Sequence, residues 1–239
     1  MNKTFHSYDE VVADVFDGAV IAVGGFFGNY NDTPFHVLEA LRRKGVSNLT
    51  IINNGAGSGD QGLGGLIKDG LVRKVICSFP NTPHAWAFRE RYQAQEIELE
   101  LVPQGTLAER LRAAGAGLGG FYTRTGVNTL LAQGKEVREI DGKKYLFEKA
   151  LPADFALIKA QKADPAGNLV YRGTMRNFNL VMAMAAEVVV AEVEEIVPLG
   201  DLSPEEVHTP GIFVDRVILT APVPESHMFN QKGNRQVKL

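Results

Sequence analysis

The sequence predicts an α/β fold: a single open, largely parallel sheet flanked by helices, with a small antiparallel hairpin insertion. Three observations predict it. The unbroken apolar run Ala19 to Val23 and the mainly apolar run Val188 to Val193 read as strands buried on both faces, as in parallel sheets. Up to Gly134 these runs alternate with helix-length segments. Glu136 to Phe147 alternates polar and apolar residues about Asp141-Gly142, the dipeptide of a two-residue hairpin turn.

The elements follow in chain order. Ser7, with Glu10 three residues on, makes a capping box that opens a short helix through Phe16. Asp17-Gly18 is a turn before the strand Ala19 to Val23. Thr33-Pro34 starts a helix with a cap and a proline in its first position, and Gly45 ends it. Leu49 to Ile52 is the next strand, and the glycine-studded stretch from Gly55 to Gly70 holds one short helix. Val72 to Phe79 is a third strand, after which Thr82-Pro83 opens a helix carrying His84, Trp86 and Phe88. Glu96 to Val102 alternates charged and apolar residues, as a strand near a sheet edge does, and Thr106 to Ala114 is a helix. Beyond the hairpin, Phe155 to Ala160, Val188 to Val193 and Phe213 to Thr220 are buried strands, with a crossover helix at Asn179 to Glu187. Residues 1–221 are read as one domain. Residues 222–239, polar and holding Pro222 and Pro224, are read as a tail.

Composition narrows the function. The 239 residues carry 25 Lys and Arg against 28 Asp and Glu, a net charge of -3, without the basic excess of a nucleic-acid binder. One cysteine, Cys77, rules out an internal disulfide framework and fits a reducing compartment. No apolar run approaches the roughly 18 residues of a membrane span, and Met1 to Asp9 has no apolar signal core. The expectation is a cytoplasmic protein with no membrane partner. Five histidines (His6, His36, His84, His208 and His227) show no zinc-ligand spacing, so no metal is expected. Cys77 lies in a predicted buried strand and reads as a core residue. Arg110, Arg124, Lys159 and Arg176 are cations whose ordinary place is a solvated face.

Glycine is in surplus: 25 residues, six of them between Gly55 and Gly65. The most informative run is Asp17 to Tyr30, where a buried strand meets Gly24-Gly25 before the chain enters a helix. In open α/β sheets ligands bind beyond the carboxyl ends of the strands, and glycines there let backbone approach a ligand. A tight turn without a ligand is the alternative. The loop contains neither Gly-x-Gly-x-x-Gly nor Gly-Lys-Ser/Thr, so no nicotinamide, flavin or Walker nucleotide site is expected.

Asp17-Gly18, an apolar run, Gly24-Gly25-Phe26 and a downstream proline together resemble the signature of family I CoA-transferases, in particular the alpha subunit of 3-oxoacid or acetate CoA-transferases. The resemblance extends through Asn53-Asn54, Gly62-Leu63-Gly64 with Ile67, and the run Pro103-Gln104-Gly105-Thr106-Leu107-Ala108-Glu109-Arg110. It continues through Asp154-Phe155-Ala156-Leu157, Lys159-Ala160, Lys162-Ala163-Asp164, Arg176-Asn177-Phe178-Asn179-Leu180 and Val193 to Val197, covering roughly residues 5 to 220. Two segments depart from the family pattern. Tyr30 and Asp32 stand where members carry glycine and proline, with the proline delayed to Pro34. Phe79 to Trp86 replaces a Val-Gly-Glu-Asn stretch.

The resemblance implies a CoA-transferase fold, shared with sugar-phosphate-binding relatives, and a ping-pong transfer of CoA between an acyl-CoA and a short-chain or 3-oxo acid. The nucleophile it implies is a glutamate in a Ser-Glu-Asn-Gly motif on a beta subunit, which becomes a glutamyl-CoA thioester. This chain has no Glu-Asn-Gly, so a beta partner in an αβ or α2β2 assembly is expected. Glu192, Glu194 and Glu195 read as solvated carboxylates at a strand end. The resemblance further implies that Gln104 supplies an oxyanion donor. It assigns the CoA-contacting loop to Gly24, Gly25, Phe26, Phe27, Gly28, Asn29 and Tyr30. Two other readings stand beside it: a non-catalytic sugar-phosphate or acyl-CoA-binding sensor of similar fold, and a self-contained isomerase or hydrolase using Asp32 and Asp60. The short N-terminus leaves no room for the helix-turn-helix such a sensor normally carries.

Overall fold

Alternate side chains of the central strands enter two separate apolar layers, so one sheet carries a core on each face. The structure, a computed structural model, describes residues 2–26 and 32–222. Its strands are β1 (Thr4–Phe5), β2 (Val20–Val23), β3 (Leu49–Ile52), β4 (Val72–Cys77), β5 (Glu98–Leu101), β6 (Gly120–Thr123), β7 (Val137–Ile140), β8 (Lys143–Lys149), β9 (Ala153–Ala163), β10 (Leu169–Val170), β11 (Ala186–Ile196) and β12 (Arg216–Leu219). The α-helices are α1 (Tyr8–Val11), α2 (Phe35–Lys44), α3 (Gly62–Lys68), α4 (Trp86–Gln93), α5 (Gln104–Gly115) and α6 (Asn179–Ala185). The main sheet runs β1-β12-β11-β9-β2-β3-β4-β5 with every neighbouring pair parallel, and β10 adds antiparallel to β9. The open, largely parallel sheet expected from the sequence is the sheet observed.

Ile21, Val23, Ile51, Phe155 and Leu157 face one layer, which Leu38, Leu41, Leu66, Ile67 and Phe88 of α2, α3 and α4 complete. Their sequence neighbours Ala22, Ile52, Ala156 and Ile158 face the other, closed by Leu107 and Leu111 of α5 and Met182 of α6. Each fully buried leucine or isoleucine contributes about 1.5–3 kcal/mol from removal of apolar surface from water. Strands β2 to β5 step in sequence order toward one edge, while β9, β11 and β12 step toward the other. The order reverses between β9 and β2, and the crevice beyond the carboxyl ends at such a reversal is where ligands bind in this architecture.

Local departures from the sequence expectation have local causes. Ser7 does cap α1, its hydroxyl accepting the Glu10 N–H at 3.4 Å, but the helix stops at Val11 instead of reaching Phe16. Unwinding at Val12 (φ -114°) lets Val11 and Val12, both fully buried, enter one core, where a helix would splay them by about 100°. Helix α2 begins at Phe35 with Pro34 as its cap, because the Thr33 hydroxyl bonds the Asp32 carboxylate (3.3 Å) and not the helix. The Thr82-Pro83 segment is a turn closed by Ala85 N–H to Thr82 O (3.1 Å), and α4 starts only at Trp86. Pro103 caps α5, so Gln104 is the first helical residue and not part of a turn ahead of a helix starting at Thr106.

The hairpin forms as expected, with Asp141 and Gly142 both at positive φ (49° and 70°). It gains a third strand, β6, to give a separate antiparallel sheet of order β6-β8-β7. Arg110 ties this insertion to the main sheet: its Nε donates to Lys149 O (2.9 Å) and its Nη1 to the Glu100 carboxylate (2.8 Å). Among the described residues no helix is long and apolar enough to cross a membrane.

Candidate active site

Four parallel strands deliver short polar segments to one end of the sheet: Gly24-Gly25 after β2, Asn53-Asn54 after β3, Ser78 after β4 and, through Val102-Pro103, Gln104 after β5. Gly24 and Gly25 are each required by geometry. A β-carbon on Gly24 would lie 2.0 Å from Oδ1 of buried Asn179, and Gly25 sits at φ +101° with Thr33 Oγ1 2.4 Å from where its β-carbon would be. The Phe26 N–H is accepted by the Asp32 carboxylate at 3.0 Å.

Two asparagines hold this glycine turn against the next strand. Asn53 Nδ2 donates to Val23 O (2.6 Å) and Gly25 O (3.3 Å), and its Oδ1 accepts the Gly55 N–H (2.9 Å). Asn54 Nδ2 also reaches Gly25 O at 3.3 Å, leaving its Oδ1 to accept from Gln104 Nε2 at 2.5 Å. The Ser78 hydroxyl meets the Gln104 Oε1 on the far side of the same amide. The result is a continuous relay, Gly25–Asn54–Gln104–Ser78, across the strand ends. Gln104 is half-buried and is the first residue of the 12-residue α5, the end at which the helix dipole is positive. The exposed rings of Phe26 and Phe79 flank the relay in sequence.

Of the residues expected to line a ligand loop, Gly24, Gly25 and Phe26 lie at the head of this crevice, with Phe26 exposed rather than in the core. Phe27, Gly28, Asn29 and Tyr30 lie outside the described residues. A neighbouring pocket is lined by Gly24, Thr33, Asn53, Ser58 and Gln61 among others. The sequence reading missed Asn54 and Ser78 as site residues. The signal was present, since each is a polar residue one or two places past the end of an apolar strand.

The carboxylates sort differently from expectation in one place. Glu192 is fully buried, not a solvated strand end. Its Oε1 accepts from Lys159 Nζ (2.9 Å) and Thr220 Oγ1 (2.7 Å), and its Oε2 from the Val37 N–H in the first turn of α2 (3.1 Å). Lys159, expected on a solvated face, is buried with it. Glu194 and Glu195 are exposed as expected. The other buried carboxylates among the described residues are also engaged: Glu148 pairs with Lys135 (2.6 Å), and Asp164 accepts the N–H groups of Ala166 and Asn168 (both 3.0 Å). Asp60 pairs with Lys68 at 3.2 Å, while Asp32 serves Phe26, so the two do not form an acid/base couple.

Burial pushes the Cys77 thiol up to about 12, which keeps it protonated and inert as a nucleophile. Burial, and then the Glu192 charge, raises Tyr8, whose hydroxyl donates to Leu219 O at 2.8 Å. Among the described residues no three His, Cys, Asp or Glu side chains converge as metal ligands.

The chain matches known proteins over most of its length. The family model described as Coenzyme A transferase matches residues 5–220. The chain is 52% identical over 218 residues to the A-subunit of 3-oxoadipate CoA-transferase from Pseudomonas putida, covering 91% of this chain and 94% of that one. It is 53% identical over 222 residues to the A-subunit of succinyl-CoA:3-ketoacid coenzyme A transferase from Xanthomonas campestris pv. campestris (strain B100), covering 93% and 89%. Among solved structures, the acyl-CoA transferase YdiF of Escherichia coli O157:H7, in a thioester complex with CoA, superposes with a TM-score of 0.80 at 26% identity. That match covers 93% of this chain and 50% of the YdiF chain, so this chain spans half of it.

Proposed function

The chain belongs to the coenzyme A transferase family, and from that premise we propose that it is the alpha subunit of an enzyme moving CoA from succinyl-CoA to a 3-oxo acid. The catalytic glutamate comes from a beta subunit, in an αβ or α2β2 assembly. The observation that carries this reading is the relay at the strand ends, which offers neutral amide N–H donors and no carboxylate of its own. Every buried carboxylate among the described residues is already held by a structural partner.

Such a site suits one half of an acyl transfer. A carboxylate from the partner attacks the thioester carbonyl, and the tetrahedral intermediate collapses to a mixed anhydride with expulsion of CoA thiolate. The thiolate then attacks the glutamyl carbonyl, releasing the first acid and leaving a glutamyl-CoA thioester; the second acid reverses these steps. Each addition places negative charge on a carbonyl oxygen. A neutral amide donates to that oxygen without competing as a nucleophile, and this is the role proposed for Gln104. The loop Gly24, Gly25, Phe26, Phe27, Gly28, Asn29 and Tyr30 is proposed to contact CoA. The names of the relatives, which specify 3-oxoadipate and 3-ketoacids at 50% identity or more, support the 3-oxo acid class.

The test is reconstitution. This chain is co-expressed with a similar-sized chain bearing Ser-Glu-Asn-Gly, and CoA transfer from succinyl-CoA to acetoacetate and to 3-oxoadipate is followed. Turnover by the pair and by neither chain alone is expected. Transfer by this chain alone sinks the proposal of a partner-supplied glutamate, and a pair active only on saturated acids sinks the substrate reading.

A further inference from the structure

We propose that Ser78 is a positioning residue for the transfer reaction: its hydroxyl fixes which way the Gln104 amide faces. The proposal rests on the reading of Gln104 as oxyanion donor and assigns what orients that donor.

The orientation follows from donor and acceptor polarity, passed along the relay from a backbone carbonyl. Gly25 O can only accept, so the Asn54 group that meets it must be Nδ2. That turns Asn54 Oδ1, an acceptor, toward Gln104, which must therefore present Nε2. The Gln104 Oε1 is left facing Ser78, and only a donor satisfies it. Ser78 has a single hydroxyl proton and a second acceptor in reach, Asn54 O at 3.1 Å. That carbonyl already receives the backbone N–H groups of Ser78 (3.2 Å) and Phe79 (3.0 Å). The hydroxyl proton is thus released for Gln104. Both ends of the amide are then specified: one Nε2 hydrogen is committed to Asn54, and the other remains for an oxyanion.

Removing the Ser78 hydroxyl leaves Gln104 Oε1 without its donor and the amide without a reason to keep its face. The loss falls on the donor aimed at the transition state and not on binding of the CoA ester. With the reconstituted pair, succinyl-CoA as donor and acetoacetate as acceptor, Ser78→Ala is expected to lower kcat about 10-fold with KM for succinyl-CoA little changed. Ser78→Thr, which keeps the hydroxyl, restores most of the rate. The decisive readout is the double variant: Ser78→Ala combined with Gln104→Ala turns over no more slowly than Gln104→Ala alone, because a residue acting only through Gln104 has nothing left to position. A purely structural role for Ser78 would slow both backgrounds equally.

Effects that multiply in the double variant overturn the proposal, as does a wild-type rate for Ser78→Ala beside a slow Gln104→Ala. A wild-type rate for Gln104→Ala instead overturns the reading of Gln104 itself, and the two failures are told apart by that one measurement. Should Ser78→Ala assemble poorly, Ser78→Thr and the succinyl-CoA KM of the assembled fraction carry the test: a Ser78→Thr rate as low as that of Gln104→Ala overturns it.

Discussion

Asn179 stands where a side chain on Gly24 would begin: its Oδ1 lies 2.0 Å from the position of a β-carbon there. It has no room to retreat, because it is fully buried and its Nδ2 is tied to Lys159 O (2.8 Å) and Met175 O (2.7 Å). Gly24→Ala is therefore expected to destabilise the fold by about 1–3 kcal/mol through overpacking. Adding Asn179→Ala should recover part of that loss. Denaturant unfolding of the wild type and the two variants checks both, and a Gly24→Ala variant as stable as the wild type would contradict the packing described.

Gln104→Ala is expected to lower kcat of the reconstituted pair by about 100-fold, the usual effect of removing one preorganised oxyanion donor. The KM for the CoA ester should change far less. Steady-state kinetics with both substrates varied separates the two, and an effect confined to KM would assign Gln104 to ground-state binding.

The buried pair Lys159–Glu192 sits beneath the first turn of α2, with both side chains sealed from solvent. Lys159→Met strands the Glu192 carboxylate and is expected to cost about 3–5 kcal/mol, whereas Lys159→Met with Glu192→Leu, which removes both charges, should recover most of it. Chemical denaturation measures each. Equal losses in the single and double variants would mean that packing, not the unpaired charge, dominates.

Glu100 links the sheet edge to the insertion through Arg110. Burial raises its carboxyl, but hydrogen bonds from Arg110 and Lys74 outweigh burial and hold it below the ordinary glutamate value of 4.5. A carboxyl depressed in the folded state adds stability above its unfolded pKa, and that stability is lost as pH falls through the folded value. The gap in melting temperature between wild type and Glu100→Gln should thus be widest near about pH 7 and close in acid below the carboxylate range. A gap independent of pH would assign the effect to shape.

How much of this was legible in the sequence depends on what fixes each feature. Strands such as the one in Ala19 to Val23 were readable because burial on both faces favours an unbroken apolar run, and the hairpin because Asp141-Gly142 satisfies a left-handed turn on its own. Strand β6 was not, since its residues Gly120 to Thr123 are only half-buried and their pairing depends on β8, more than twenty residues on. At the site, Gln104 was reached only through the family resemblance, and Asn54 and Ser78 were not singled out. Each follows the end of an apolar strand, which marks a position near the crevice, but the hydrogen bonds that join them to Gln104 span 26 and 50 positions, a pairing that no local pattern encodes. Glu192 was misplaced for the same reason: its neighbours Glu194 and Glu195 are exposed, and the partners that mark it as different, Lys159, Thr220 and Val37, lie 33, 28 and 155 positions away.

The junction of β2 with β9 has a consequence for how the chain assembles. Strands β2 to β5 are supplied in order, so that half of the sheet is built from nearest neighbours as synthesis proceeds. The inner edge of β2 instead waits for Phe155 to Leu157, and Thr4 and Phe5 wait for Val217 and Ile218. Unpaired backbone in an apolar strand is adhesive, so the nascent first half should need shielding until β9 arrives, and refolding should be slowed by this late, long-range closure. Pulse-labelled hydrogen exchange would register it as protection of Ile51 and Val75 before Leu157 and Val190. Simultaneous protection of all four would mean that the sheet forms in one step.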